Sequence, residues 1–114
     1  MVHMTKKDPI KCADPAVAKL ESYWTVQISS TYWVVMESRG GDWNPVEHIP
    51  MPHHHATRLE LTNLTEFGPR IAGASRVRFT LEITARDIQQ DPGQRQWFTT
   101  YQARIIDACS VAAP

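Results

Sequence analysis

The feature that most constrains the fold is a strict alternation of polar and apolar residues over residues 76–86. Successive side chains of a β-strand point to opposite faces of its sheet, so this alternation predicts a strand with one buried face. The apolar positions are Val77, Phe79, Leu81, Ile83 and Ala85. The positions between them carry arginine, threonine and glutamate, which would face solvent or a partner.

A second strand is predicted for residues 97–107, because the turn tripeptide Asp91-Pro92-Gly93 lies shortly before it. An antiparallel hairpin with an odd-length loop centred on Pro92 keeps one face apolar and the other polar. On the inner face this register pairs Ile83 with Tyr101, Leu81 with Ala103, and Phe79 with Ile105. On the outer face it places Arg86 beside Phe98 and Thr80 beside Arg104.

Other segments complete the predicted elements. Residues 23–38 are rich in β-forming side chains and form either one long bent strand or two strands. Residues 56–64 predict a further strand, with Leu59 and Leu61 facing inward. Asp14-Pro15 is a helix-start signal, so a short helix is expected from there to about Ser22.

These elements predict a mainly β fold, a small antiparallel barrel or coiled meander of four to five strands with one short N-terminal helix. The alternatives are a half-open β-sandwich and an α+β fold. The length of 114 residues fits one domain. We interpret residues 1–13 as a flexible arm, with residues 1–3 as a vector remnant, and residues 14–114 as a single β-rich domain.

Composition narrows the class of partner and the compartment. Twelve basic residues balance twelve acidic ones, which argues against a polycation or an acidic nucleic-acid mimic. The longest apolar run, residues 32–36, is too short to span a membrane, so no membrane partner is expected. Without a recognisable signal peptide, we expect a cytoplasmic protein in which Cys12 and Cys109 are reduced thiols.

The long connection of residues 39–55 is the first candidate site. It holds Trp43, three prolines and four of the five histidines. Loops of this length are usually functional or disordered, and the alternative is a cover loop with Trp43 as its plug. His48, His53 and His55 are donors that zinc would accept, and adventitious nickel would bind there too. No cofactor is otherwise expected.

Arginine is the second candidate feature, because every positive charge after Arg39 is an arginine. The predicted outer face of the hairpin carries Arg78, Arg86 and Arg104 together with Phe98. Interleaved basic and aromatic side chains on a sheet are typical of surfaces that bind single-stranded nucleic acid. The alternative is a solvated face with cross-strand ion pairs.

In a meander the 39–55 loop would lie beside the hairpin tip, which would bring Trp43 and the loop histidines to Arg95. We therefore predict a small non-enzymatic binding module for a polar or anionic partner, with single-stranded nucleic acid as the sharpest form. The predicted ligand-binding residues are Trp43, Arg78, Arg86, Arg95, Phe98 and Arg104. The alternatives are a protein-interaction or homo-oligomeric module, and a metal-dependent enzyme that uses the loop histidines. An enzyme is the less favoured class, because no nucleophile motif is present.

Overall fold

The computed structural model describes residues 12–51, 55–93 and 96–111, and it confirms a mainly β chain. Its strands form one open sheet of six, where a barrel or meander of four to five was predicted. The strands are β1 (Ala18–Lys19), β2 (Thr31–Arg39), β3 (Asp42–Pro45), β4 (His55–Leu61), β5 (Arg76–Asp91) and β6 (Gln96–Ser110). They lie in the order β1-β2-β5-β6-β4, with β3 beside β2.

The β5–β6 hairpin is the centre of the sheet, and its inner face has the predicted residues. These inner-face residues are all buried, which confirms the predicted inner and outer faces of the hairpin. They are Val77, Phe79, Leu81, Ile83, Tyr101, Ala103 and Ile105. The predicted register is wrong by two residues, since Ile83 pairs with Ala103 and Leu81 with Ile105. A slip of two residues preserves both faces, so alternation alone could not detect it.

Two bulges interrupt this hairpin, one on each strand. Thr84 is an extra residue between the pairs Ile83–Ala103 and Ala85–Gln102, and its hydroxyl donates to the carbonyl of Gln102 at 3.1 Å. A one-residue insertion reverses the face on which every later side chain lies. Beyond Thr84, Arg86 therefore pairs with the buried Tyr101 and lies on the inner face, not the predicted outer one.

Strand β2 joins β5 on one side and β3 on the other. A two-residue turn, Gly40-Gly41, connects β2 to β3 with both φ angles positive, at 59° and 92°. Residues 23–38 are neither of the predicted arrangements, because Tyr23–Thr25 forms a 3-10 helix before β2 begins. The predicted N-terminal helix is also wrong: residues 14–22 contain β1, which pairs with β2 in parallel.

Strand β4 pairs with β6 in parallel, which corrects the prediction of an all-antiparallel sheet. Leu59 and Leu61 pack against the core while Arg58 and Glu60 are exposed, as predicted. Past the end of β4, the side-chain amide of Asn63 makes the hydrogen bonds to β6 that a strand backbone would make. Its Oδ1 accepts from the N–H of Ile105 at 2.7 Å, and its Nδ2 donates to the carbonyl of Ile105 at 3.0 Å. A 3-10 helix (Leu64–Phe67) and a four-residue helix, α1 (Gly68–Ile71), then lead to β5.

A disulfide joins Cys12 to Cys109, so the prediction of reduced thiols is wrong. The bond holds residues 12 and 13 against the outer face, where the Arg78 guanidinium donates to the carbonyl of Ala13 at 2.7 Å. Of the predicted flexible arm, residues 1–11 lie outside the described residues. The described part of the chain contains no helix long and apolar enough to cross a membrane.

Candidate functional site

Two of the predicted outer-face arginines are already engaged within the chain. The Arg78 guanidinium lies over the Trp33 ring, 5.7 Å from its centroid, and bonds to the carbonyl of Ala13 as described. Arg78 Nε is buried and has no hydrogen-bond partner within the described ranges. Arg104 pairs with Glu82 at 2.9 Å, directly across the hairpin. Neither cation is free for an external anion.

Two further arginines also form ion pairs within the chain. Arg76 lies 3.7 Å from Glu37, and Arg70 lies 3.1 Å from Asp107. The Arg70–Asp107 pair is largely solvent-exposed, so it adds little stability, at most about 1 kcal/mol, whereas the Arg76–Glu37 pair is partly buried. They nonetheless neutralise the charge that an anionic partner would need on this face.

Trp43 does not belong to a loop rim. It lies in β3, half-buried, and packs edge-on against the core residue Phe79 with ring centroids 5.4 Å apart. The β2–β3 turn lies at the end of the sheet where β5 begins, since Glu37 pairs with Arg76, whereas the hairpin tip lies at the other end. The structure therefore places Trp43 against the core and away from the hairpin tip.

The predicted metal ligands are only partly described. His48 is exposed, and the side chains of His53 and His55, like Arg95, lie outside the described residues. Within residues 12–51, 55–93 and 96–111 there is no group of three or more side chains that could hold a metal ion. The histidine site and the placement of Arg95 at the rim stay predictions.

The structure assembles a different site where the inner face continues beyond the core. A cavity of about 190 Å³ lies between the 3-10 helix at Tyr23–Thr25 and the hairpin. It is lined by Tyr23, Trp24, Thr57, Arg86, Ile88, Thr99 and Tyr101. Arg86 makes no ion pair or hydrogen bond with another described residue, which distinguishes it from Arg78 and Arg104.

Two stacked tyrosines form the inner wall of this cavity. The rings of Tyr23 and Tyr101 are nearly parallel, 5.8 Å apart, and Tyr101 Oη donates to the carbonyl of Tyr23 at 3.2 Å. Burial raises the pKa of Tyr23 to about 12, and the neighbouring Tyr101 adds to the increase. The Tyr23 phenol therefore stays neutral at any physiological pH and presents a hydroxyl rather than a charge.

Exposed large apolar side chains share either this cavity or this face of the hairpin with Arg86. Trp24 is 59% exposed, Ile88 51% and Trp97 48%, and the pairing of β5 with β6 places Ile88 and Trp97 on one face. We call Trp24, Arg86, Ile88 and Trp97 the hairpin patch. Aromatic and arginine side chains of this kind are enriched where proteins contact partners. Phe98, a predicted site residue, lies half-buried on the opposite face beside Gln89.

Sequence reasoning missed this patch because it extended one alternation through the bulge. The sequence does contain a sign of the bulge: the large apolar residues occupy odd-numbered positions up to Ile83, but the next one, Ile88, occupies an even-numbered position. Such a change of phase within one strand indicates an inserted residue between the two positions.

No protein family, curated protein or solved structure matches this chain significantly.

Proposed function

We propose that the protein is a small non-enzymatic binding module that engages an anionic partner at the hairpin patch. The specific partner that we propose is single-stranded nucleic acid. The single observation that supports it is Arg86, an unpaired guanidinium set among aromatic and hydroxyl side chains in an open cavity.

The chemistry of the patch suits such a partner. A guanidinium can donate two parallel hydrogen bonds to a phosphate, and its plane can also stack on an aromatic ring. An exposed indole such as Trp24 offers a stacking surface worth about 1–3 kcal/mol per base. Thr57 places a hydroxyl at the same cavity, which could accept or donate a hydrogen bond.

The outer face gives weaker support to the same function, because Arg78 and Arg104 already have partners. The proposal therefore moves the binding surface from the outer face and the Trp43 rim to the inner face. A metal-dependent enzyme stays an untested prediction. A cytoplasmic location also stays a prediction, and the disulfide counts against it, because such bonds are typical of oxidising compartments.

The test is fluorescence anisotropy with a labelled single-stranded oligothymidylate at low ionic strength. Arg86→Ala and Trp24→Ala should each weaken binding about tenfold, the effect expected when a charge-assisted hydrogen bond or a stacked base is lost. Binding should also weaken steeply as salt is added.

Arg58→Ala is the matched control, because Arg58 is also exposed and unpaired among the described residues but pairs with Thr100 on the outer face. Its affinity should stay within about twofold of the native value, an energy change of under about 0.5 kcal/mol. Absence of binding by the native protein at low salt would overturn the function. An equal loss in Arg58→Ala would overturn the site, since net charge alone would then explain the affinity.

A further inference from the structure

One edge of β5 has no strand beside it near the hairpin tip. Strand β2 pairs with β5 only as far as Glu82, and the backbone of Ser29 and Ser30 bonds to Ile83 just beyond. Residues 85–91 pair with β6 on their other side only, as far as the described residues extend. We call residues 85–91 the free edge.

An unpaired edge presents a row of backbone N–H and C=O groups that another strand can join. Charged residues usually discourage this, and Arg86, Asp87 and Asp91 lie along the free edge. Its centre is nevertheless Ile88, with half of its side chain exposed. The pattern of charge therefore decides which strand the edge can accept.

We propose that the occupant is a second copy of this chain, paired antiparallel through the free edge with Ile88 opposite Ile88 on a two-fold axis. A two-fold axis perpendicular to the sheet places the inner faces of both copies on the same side. Because side chains alternate along the strand, two directly opposed residues must then both have odd numbers or both have even numbers. Only three registers then lie near the middle of the edge, centred on residue 87, 88 or 89.

Charge selects among these three registers. Centring on 87 sets Asp87 against Asp87, and centring on 89 sets Asp87 against Asp91; like charges directly opposite are destabilising. Centring on 88 sets Ile88 against Ile88, Arg86 against Gln90, and Asp87 against Gln89. Arg86 and Asp87 then each face an amide, Asp91 faces Ala85, and the exposed isoleucine is covered, so no like charges are directly opposed.

This dimer goes beyond the proposed function and does not depend on it. In the dimer the two Ile88 side chains meet on the inner face, so the two hairpin patches become parts of one continuous surface.

The first experiment is cysteine cross-linking in the otherwise native protein, which retains its own disulfide. Ile88→Cys should form a covalent dimer under mild oxidation, because residues opposed across strands have Cα atoms about 5 Å apart, within disulfide range. Gln90→Cys alone should not, since two copies of residue 90 are offset by about 13 Å along the strands. Mixing Arg86→Cys with Gln90→Cys should restore the cross-link.

A monomeric Ile88→Cys protein after oxidation would overturn the proposal, and so would cross-linking of Gln90→Cys alone, which requires a different register. Peptide mapping should identify the bond between the two copies of residue 88, which excludes exchange with Cys12 or Cys109.

The second experiment is light scattering without nucleic acid, so that its outcome is independent of the anisotropy measurements. The native protein should be dimeric at about 100 µM, a weak interface being expected for one short strand pair. Ile88→Lys should be monomeric, because it places like charges on the axis. Ile106→Lys is the control: Ile106 is 43% exposed but lies away from the tip, on β6, and its variant should remain dimeric. A monomeric native protein would identify the edge charges as protection against pairing and would overturn the dimer.

Discussion

Tyr23 combines burial with a ring stacked on Tyr101, and the pKa of its phenol rises from 10.0 to about 12 as a result. The folded chain holds this proton more tightly than the unfolded chain does. Its contribution to stability is therefore complete below pH 10 and is lost as the pH rises through 12.

We expect the native protein to lose about 1.3 kcal/mol more unfolding free energy than Tyr23→Phe between about pH 9 and about pH 11. Phenylalanine keeps the stacked ring but has no proton to lose. Urea denaturation of both proteins at the two pH values measures the difference. Equal losses would show that the Tyr23 phenol ionises as readily in the folded chain as in the unfolded one.

Two tryptophans test the distinction between a core side chain and a surface one. Trp43→Ala should lower the unfolding free energy by about 2–3 kcal/mol, because it leaves a void beside Phe79. Trp24→Ala should change it by less than about 0.5 kcal/mol, since that side chain is mostly exposed. Chemical denaturation provides both values, and a larger effect of Trp24→Ala would contradict the assignment.

At this scale the sequence could name the alternatives but not choose between them. Trp43 was equally compatible with a plug and with a binding rim, since both need an aromatic side chain in a proline-rich connection. The choice depends on Phe79, which lies 36 positions away and is brought to Trp43 only by the pairing of β2 with β5. Likewise, the engagement of Arg78 depends on the carbonyl of Ala13, which no side-chain pattern reveals.

The elements were predictable where a periodic pattern is long. The alternation identified the buried and the exposed face of β5 before the bulge at Thr84. Burial of both Phe79 and Ile83 fixes which positions of that segment point into the core. The alternation could not reveal the register, which the connection of residues 92–95 and the two bulges determine. The predicted surface was wrong for Arg86 for this reason, since one inserted residue transferred it to the other face.

Local signals were less reliable when tertiary pairing competed with them. Asp14-Pro15 can begin a helix, but the residues after it pair with Tyr32 and Trp33 and bury Leu20 in the core. A helix of so few residues gains too little from its own hydrogen bonds to resist that pairing. The parallel contact of β4 with β6 joins strands distant in sequence, so no local pattern indicates it.

The β2–β3 turn provides a test at the element scale. Gly41 has a φ of +92°, and a β-branched residue there should cost about 1–2 kcal/mol of stability, because side chains clash with the backbone in this conformation. No atom lies near a Cβ built on Gly41, so the loss in Gly41→Val would be conformational rather than steric crowding. Differential scanning calorimetry measures the decrease.

Gly40→Asn is the matched control, since asparagine followed by glycine is the favoured pair in such two-residue turns. Its stability should stay within about 0.5 kcal/mol of the native value. Equal destabilisation by both variants would contradict the assigned turn.

At the scale of the whole molecule, the disulfide closes a loop of 97 positions around nearly the entire sheet. The variant with both Cys12→Ser and Cys109→Ser should be less stable by about 4–5 kcal/mol, because the bond restricts the unfolded chain. Denaturation with and without a reductant measures this, and reduction should leave the serine variant unchanged. A difference below about 1 kcal/mol would mean that the reduced chain is already ordered around Cys12.

The sequence alone favours free thiols at Cys12 and Cys109, and the disulfide overturns that prediction. Their proximity follows from the bulge at Ile106, which sets Cys109 opposite Arg78 on the face that Cys12 reaches. The pairing is therefore a property of the assembled sheet and not of the spacing.

Strand β6 is the last of the described strands along the chain, yet it lies between β5 and β4 in the sheet. During translation, β4 must therefore leave the ribosome well before the neighbour that covers its edge has been made. Until then β4 has no strand beside it, and β5 has β2 on one side only. A nascent chain arranged in this way is most exposed to aggregation until β6 has been made, and we expect its yield to depend on chaperones more than its final stability would suggest.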